Sequence, residues 1–274
     1  MSISVLILTL NEELNLPGCL ESVSWSDDIV VFDSFSSDRT VEIAKAAGAR
    51  VVKRKFDNWS AHQNWAMENI EFKYPWVFYL DADERCDTIL LEELLTIGSK
   101  TGEYSAYQVR RKDYFMGRWL RRAQLYPTWI TRFFRPEKIK YDRLVNPVAI
   151  VDGQVGRLSG HLIHYPFSHG ISHWYARHNK YSDMEALELV KETKVKIKVR
   201  NIFGNPIERR RTLKRIAYKL PYRPLLMHLY LLFVRGAFLD GMPGINYACM
   251  RATYEYMIDL KVKELRRREK GLAV

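Results

Sequence analysis

The stretch Trp76-Val77-Phe78-Tyr79-Leu80-Asp81-Ala82-Asp83-Glu84 decides the fold, because its character changes within a single step. A short apolar run closed by polar turn residues reads as a buried strand, and the acidic residues mark its carboxyl end. The same pattern occurs twice upstream. Residues 3–8 form a run that is apolar but for Ser4, followed by Thr9-Leu10-Asn11-Glu12, and residues 29–32 form another followed by Asp33-Ser34-Phe35-Ser36-Ser37-Asp38. Between these runs the spacing predicts helices from the turn at 11–13 to about residue 23, over 39–47, over 59–70, and from Asp87 to about residue 97. Asp38 and Asp87 are suited to cap two of them, and Gly48 to stop one. With a short strand at 50–53, this alternation predicts an α/β fold with a mostly parallel, doubly wound sheet flanked by helices. In such sheets the ligand crevice lies at the carboxyl ends of the strands, so three polar clusters converge on one edge.

Downstream, residues 104–111, 129–134 and 148–151 read as further β structure, and 169–190 and 244–268 as helices. Charge divides the chain differently. The net charge of +11 comes from 43 Lys and Arg against 32 Asp and Glu. Residues 191–274 hold 20 basic and 7 acidic side chains, which leaves 23 against 25 in the rest. The expected organisation is therefore a nearly neutral domain over 1–190 and a basic, amphipathic helical extension over 191–274. Hydrophobic residues make up 47% of the chain and charged ones 27%, which excludes disordered and low-complexity classes. Three scattered cysteines without a CxxC pair point to a reducing compartment. The N-terminus reads as a first strand rather than a signal peptide. No apolar run reaches the roughly 18–20 residues that cross a bilayer.

Carboxylates at i and i+2 in a tight turn project to one side. Asp81 and Asp83 can hold a hard divalent cation that keeps positions open for phosphate oxygens. A D-x-D turn alone is common on surfaces; its place after an apolar strand, beside two other polar clusters, is what favours metal–diphosphate binding. Asp33 can accept hydrogen bonds from a nucleobase or ribose, or equally can cap its own turn.

These motifs carry a resemblance. Val5-Leu6-Ile7-Leu8-Thr9-Leu10-Asn11-Glu12-Glu13, Val30-Val31-Phe32-Asp33-Ser34-Phe35-Ser36-Ser37-Asp38-Arg39-Thr40 and the Leu-Asp-Ala-Asp-Glu turn resemble those of family 2 GT-A glycosyltransferases. The branch they resemble is that of lipopolysaccharide core β-1,4-glucosyltransferases. Gln63-Asn64-Trp65-Ala66, Arg132-Phe133-Phe134-Arg135, the 161–165 segment, Arg177-His178-Asn179-Lys180-Tyr181-Ser182 and Phe238-Leu239-Asp240-Gly241 extend the likeness over most of the chain.

The resemblance implies a GT-A (Rossmann-like) domain, a UDP-sugar donor and a divalent cation, Mg²⁺ or Mn²⁺. It puts Thr9, Asn11 and Glu12 near the nucleoside, Asp33 on the uracil, and Gln63 and Asn64 in the segment that approaches the nucleotide. Asp81 would meet the ribose or the metal, with Ala82 beside it, Asp83 would ligate the metal, and His164 would complete the metal site. Read without the resemblance, His164 is a packed histidine beside Tyr165 and Phe167. Arg132 and Arg135 suit phosphate or acceptor contacts, or equally snorkelling charges on a strand. Arg177 and Lys180 are raised above a solvated helix face only by the resemblance.

The reaction implied is inverting sugar transfer, which needs a general base at the acceptor hydroxyl. Many relatives carry a His-Glu pair where this chain reads Arg143-Leu144-Val145-Asn146-Pro147, and neither Asn146 nor Pro147 takes a proton. Asp142, and after it Asp152, are the stand-ins in this region; otherwise another acidic residue must reach over. The expected acceptor is a lipid-anchored saccharide, with glucose the favoured sugar by resemblance. Segment 209–235 mixes Arg and Lys with Leu and Phe, as an interfacial helix on an anionic membrane does, and no nucleic-acid-binding motif is present. The expected place is the cytoplasmic face of the inner membrane, peripherally bound, with an oligomer possible. Alternatives are transfer to a polyprenyl phosphate, and a catalytically weak nucleotide-sugar-binding membrane partner.

Overall fold

The hydrophobic run at the N-terminus becomes β1 (Ile3–Thr9), buried along its whole length. It forms the centre of a parallel block. β2 (Ile29–Asp33) and β4 (Trp76–Asp81) pair with it on either side, and β3 (Arg50–Lys53) pairs with β2. The protein is described by a computed structural model that covers residues 3–99, 102–142, 147–193, 209, 212, 216, 220 and 222–274. Much of the basic stretch between 194 and 221, and four of the five residues at 143–147, lie outside the described residues.

Helices α1 (Leu16–Ser22), α2 (Thr40–Ala46), α3 (Trp59–Asn69) and α4 (Thr88–Gly98) follow the strands as expected. Local chemistry sets their starts. Asn58 accepts from the Ala61 amide at 2.9 Å and Asp87 from the Leu90 amide at 2.9 Å, each satisfying an N–H that the first turn leaves free. Beyond β4 the sheet continues through β8 (Thr128–Phe134), β6 (Tyr104–Phe115), β11 (Gln154–His164) and the short β5 (Glu84–Cys86). β8 is antiparallel to both β4 and β6, whereas β11 is parallel to β6. The carboxyl ends of β6 and β11 therefore return to the same edge as those of β1, β2 and β4. β7 (Arg118–Trp119) pairs with β6, and β9 (Ile139–Asp142) and β10 (Val148–Val151) form a separate two-stranded sheet.

Two apolar cores flank the parallel block. One joins Ile3, Val5 and Phe78 to Leu16, Leu90 and Leu94; the other joins Leu6, Leu8 and Phe32 to Ala66 and Phe134. α4 lies directly on β11. A Cβ added at Gly160 would come 2.3 Å from the Leu90 backbone nitrogen, so only glycine allows that approach.

The chain divides into two compact units, residues 1–119 with 126–168, and residues 120–125 with 169–274. This division comes before α5 (Gly170–Thr193), not after residue 190 as the charge distribution suggests. The reason is that α5 packs along the last helix, α7 (Met242–Glu269). Lys261 Nζ lies 2.6 Å from Asp183 and 2.7 Å from Asn179 Oδ1, and the rings of His178 and Tyr254 meet edge to face at 5.0 Å. Within the second unit the backbone amides of Arg122 and Ala123 both donate to Asp240 at 2.8 Å. The expected interfacial helix over 209–235 is seen only in part. α6 (Arg223–Leu229) continues into a π-helical turn, Tyr230–Val234, and the chain bends at Gly236. Arg223 is buried in ion pairs with Glu255 and Asp259 at 3.2 and 2.7 Å, so it is not a surface cation. Leu225, Phe233, Val234 and Leu239 are exposed. No helix among the described residues is long and apolar enough to cross a membrane.

Candidate active site

Strand register assembles the site. Thr9 lies opposite Asp33, and Leu8 opposite Asp81. On the other half of the sheet His164 lies opposite both Asp113 and Glu84. Five strand ends thus deliver Thr9, Asp33, Asp81, Asp113 and His164 to one edge, as the convergence of polar clusters predicts.

The loops after β1 and β2 are laced together. Asn11, at a φ of 57°, donates its backbone amide to Ser36 Oγ at 2.8 Å and accepts from the Ser37 amide at 2.7 Å. The left-handed conformation is tolerable for Asn, and these bonds hold it. The Glu12 and Glu13 amides donate to Thr40 Oγ1 at 2.8 Å and Asp38 Oδ2 at 3.0 Å. Asp33 is buried and accepts from Thr9 Oγ1 at 3.1 Å and from the Ser36 amide at 3.0 Å. These bonds realise the turn-capping reading of Asp33. Thr9, Asn11 and Glu12 shape the rim of the edge.

Gln63 and Asn64 are adjacent on α3 but diverge. Gln63 Nε2 donates to Tyr79 Oη at 2.9 Å, and the buried Gln63 Oε1 has no hydrogen-bond partner in the protein. Asn64 bonds both ways with the Tyr141 backbone, at 2.9 and 2.8 Å, and so staples α3 to β9. These two bonds tie one N–H and one lone pair of the Asn64 carboxamide to the chain.

From Gln63 a polar chain runs through the acidic turn. Tyr79 Oη donates to Asp81 Oδ1 at 3.0 Å, and Arg132 Nη2 reaches Asp81 Oδ2 at 2.5 Å and Glu84 at 2.9 Å. Glu84 also accepts from the Asp81 amide at 3.1 Å, closing the turn. Burial lifts the Glu84 carboxyl above its ordinary range even with Arg132 opposing the shift. For Arg132 burial works the other way, and Asp81 and Glu84 outweigh it, holding the guanidinium firmly charged. Arg132 is thus the buried counter-ion of the acidic turn, not a free phosphate clamp.

Asp83 and His164 meet at the end of this network. Asp83 Oδ2 lies 3.3 Å from His164 Nε2, and Asp113 Oδ1 lies 2.5 Å from His164 Nδ1. Arg111 Nε sits 2.9 Å from the same Asp113 oxygen. Burial and Arg111 both disfavour a charged imidazole, but Asp83 and the bond to Asp113 prevail and raise the pKa to about 9. A carboxylate and an imidazole nitrogen facing each other, the ring fixed from behind by a second carboxylate, fit a divalent cation that also takes phosphate and water oxygens. The donor set is two side chains: no group of three or more His, Cys, Asp or Glu residues suited to a metal occurs among the described residues. Asp81, whose oxygens face Tyr79 and Arg132, is not grouped with them.

The remaining candidates separate. Arg135 follows the end of β8, where Phe134 pairs with Val77, and its guanidinium stacks on Trp76 at 4.8 Å. That is the opposite end of β4 from Asp81, so Arg135 is excluded from the site. Asp152 is 80% exposed and ion-paired to Lys138 at 2.7 Å, near the start of β9, and Lys138 holds its carboxyl below the usual range. Asp142 ends β9, one residue beyond Tyr141, whose hydroxyl feels the charges of Arg132 and Asp81. Asp142 is exposed, and strand alternation turns its side chain to the opposite face of β9 from the buried Tyr141. Arg177 and Lys180 lie on α5 in the second unit. Asp113, Glu84, Arg111 and Tyr79 were not singled out by the sequence. The signal for Asp113 was the two-residue alternation through Val109, which continues past residue 111.

The family model described as Glycosyl transferase family 2 matches residues 4–161, more than half of the chain. The lipopolysaccharide core biosynthesis glycosyltransferase LpsC of Rhizobium meliloti is 28% identical over 96% of this chain and 92% of its own length. Among solved structures, S. aureus TarS 1-349 aligns over 97% of this chain and 92% of its own, at 14% identity and a TM-score of 0.44. Glucosyl-3-phosphoglycerate synthase from Mycobacterium tuberculosis, in complex with Mn²⁺, UDP-glucose and phosphoglyceric acid, aligns over 45% of this chain and 46% of its own, at 22% identity and a TM-score of 0.34. The chain belongs to glycosyl transferase family 2.

Proposed function

We propose that this family 2 enzyme is a metal-dependent inverting transferase that moves a sugar, glucose by preference, from a UDP-sugar to a saccharide of the lipopolysaccharide type. The observation that carries the reading is the pairing of Asp83 with His164 at the edge where Thr9 and Asp33 also end. The acceptor class is carried by the likeness to LpsC. Bound there, a Mg²⁺ or Mn²⁺ ion would offset the charge that builds on the departing diphosphate.

The chain's own groups do the rest. Asp33, Gln63 and the rim residues Asn11 and Glu12 hold the nucleoside. Arg132 keeps the acidic turn folded while Asp83 faces His164. Asp142 takes the proton of the acceptor hydroxyl as its oxygen bonds to the anomeric carbon. The bond to the UDP oxygen breaks on the opposite side, and UDP leaves with the electron pair. The exposed Leu225, Phe233, Val234 and Leu239, with the basic stretch from residue 209, support peripheral attachment to an anionic membrane on the cytoplasmic side.

The test is a panel of UDP-sugars with Mg²⁺ or Mn²⁺, first for acceptor-independent UDP release and then with lipopolysaccharide-core acceptors. UDP release from one or two donors, accelerated by a core acceptor, is expected. Release from none, with or without acceptor, would overturn the reading.

A further inference from the structure

One face of the antiparallel half of the sheet carries cations and aromatic rings that the donor site does not use. Trp129 on β8 lies directly across from Arg110 on β6, and Arg110 across from His161 on β11. The Trp129 ring is flanked by two guanidiniums, Arg157 at 4.9 Å and Arg110 at 5.5 Å from its centroid. Two residues along β6, Lys112 lies 5.3 Å from the Trp119 ring. The opposite face of β11 is occupied by α4, through the Gly160–Leu90 approach. All of these residues belong to the first unit.

The charges on this face are not neutralised. Among the described residues Arg110, Lys112 and Arg157 make no ion pair with a carboxylate, whereas Arg111 and Arg132 on the same strands do. Arg110 Nε is buried without a hydrogen-bond partner, and Arg157 is exposed. Two carboxylates lie beside this row: Asp87, 3.3 Å from His161 Nδ1, and Glu93, which accepts from the Ser159 and Gly160 amides at 2.9 Å. The indole holds the two guanidiniums by cation–π contact, and they offer forked donors matched to phosphate or carboxylate oxygens.

We infer that Trp129, Arg110 and Arg157, with Lys112 beside them, form a docking platform for a negatively charged saccharide, separate from the Asp83–His164 pair. The inference rests on the transferase reading for its place in function, since the platform would select acceptors that carry phosphate or carboxylate groups. Its recognition chemistry stands apart from the donor, and the two can fail separately.

The test is calorimetric titration of the full-length protein, without UDP, using trigalacturonate as a carboxylated probe, a phosphorylated glucosamine disaccharide as a phosphorylated one, and maltotriose as the neutral control. At least one anionic probe is expected to bind about tenfold or more tighter than maltotriose at low salt, and to weaken as salt is raised. Which of the two binds better identifies phosphate or carboxylate as the group read. Arg157→Gln, at an exposed side chain, and Arg110→Gln should each weaken that probe by about five- to tenfold while UDP affinity stays within about twofold. Trp129→Phe should retain more affinity than Trp129→Ala. Equal binding of anionic and neutral probes would overturn the platform, as would wild-type affinity in the Arg110→Gln/Arg157→Gln double variant. Loss of UDP release with intact probe binding would instead count against the transferase reading.

Discussion

His164 Nδ1 lies 2.5 Å from Asp113 Oδ1, a buried contact between residues 51 positions apart. It fixes the ring from behind, so that Nε2 is the nitrogen turned toward Asp83. A carboxylate in that position orients a metal-ligating imidazole and raises its basicity.

The first consequence concerns protons and metal. With the His164 pKa raised to about 9, the ring is protonated at neutral pH, and a cation must displace that proton to bind. Mn²⁺ binding at pH 7 is therefore expected to release close to one proton, and affinity should rise with pH up to about 9. Calorimetric titration in buffers of different ionisation enthalpy measures the release. Asp113→Asn should lower Mn²⁺ affinity by about 10- to 100-fold, and an unchanged affinity would show that Asp113 does not support the ligand.

Stability without metal should follow the same group. The folded-state pKa of His164 is raised above its ordinary 6.5, so its contribution is fully present below pH 6.5 and is lost as pH rises through about 9. Urea midpoints in the presence of a chelator should fall across that window, by on the order of 3 kcal/mol in stability. His164→Gln should remove this component of the slope. A slope identical in the variant would assign it to other groups.

Arg132 offers a test of the acidic turn. Glu84 is fully buried and Asp81 partly so, and Arg132 bridges them. Arg132→Met leaves buried Glu84 only the more distant guanidinium of Arg111, at 3.9 Å, and is expected to cost about 3–5 kcal/mol by urea unfolding. Adding Glu84→Gln should recover part of that loss, because the two residues act as a pair. Strictly additive losses would dissolve the pairing.

Asn64 and Gln63 should separate in their effects. Asn64→Ala removes both bonds to the Tyr141 backbone and should cost about 1–3 kcal/mol in stability, with UDP affinity nearly unchanged. Gln63→Ala should show the reverse weighting, weakening UDP binding more than folding. Equilibrium unfolding and UDP titration of the two variants decide it, and a reversed pattern would exchange their assignments.

The parallel half of the fold was readable from sequence because each strand is a continuous buried run ending in a polar turn. β1, β2 and β4 announce themselves that way, and Asn58 and Asp87 cap helices close to where the pattern predicts. β11 was not readable as a whole. Gln154–His164 alternates buried and exposed positions at the strand period, but Gly156 and Gly160 fall on its buried face and leave no apolar side chain at those positions to mark it. The site divides along similar lines. Asp33, Asp81 and Asp83 stand at strand ends and could be found locally. Arg132 and Asp113 acquire their roles from partners about fifty residues away, through register that the sequence does not encode locally. Of the two readings left open for Arg135, register selects the one away from the acidic turn, since three residues separate it from Arg132 and carry it to the other end of β4.

The central claim is that Asp83 and His164 hold the cation that assists UDP departure. Its most direct measurement is the Mn²⁺ dependence of UDP-sugar turnover in the wild type and in Asp83→Asn. Wild-type turnover should require the cation, and the variant should lose at least about a hundredfold in rate together with the metal dependence of UDP affinity. Turnover at the wild-type rate in Asp83→Asn, with UDP binding still metal-dependent, would contradict the assignment.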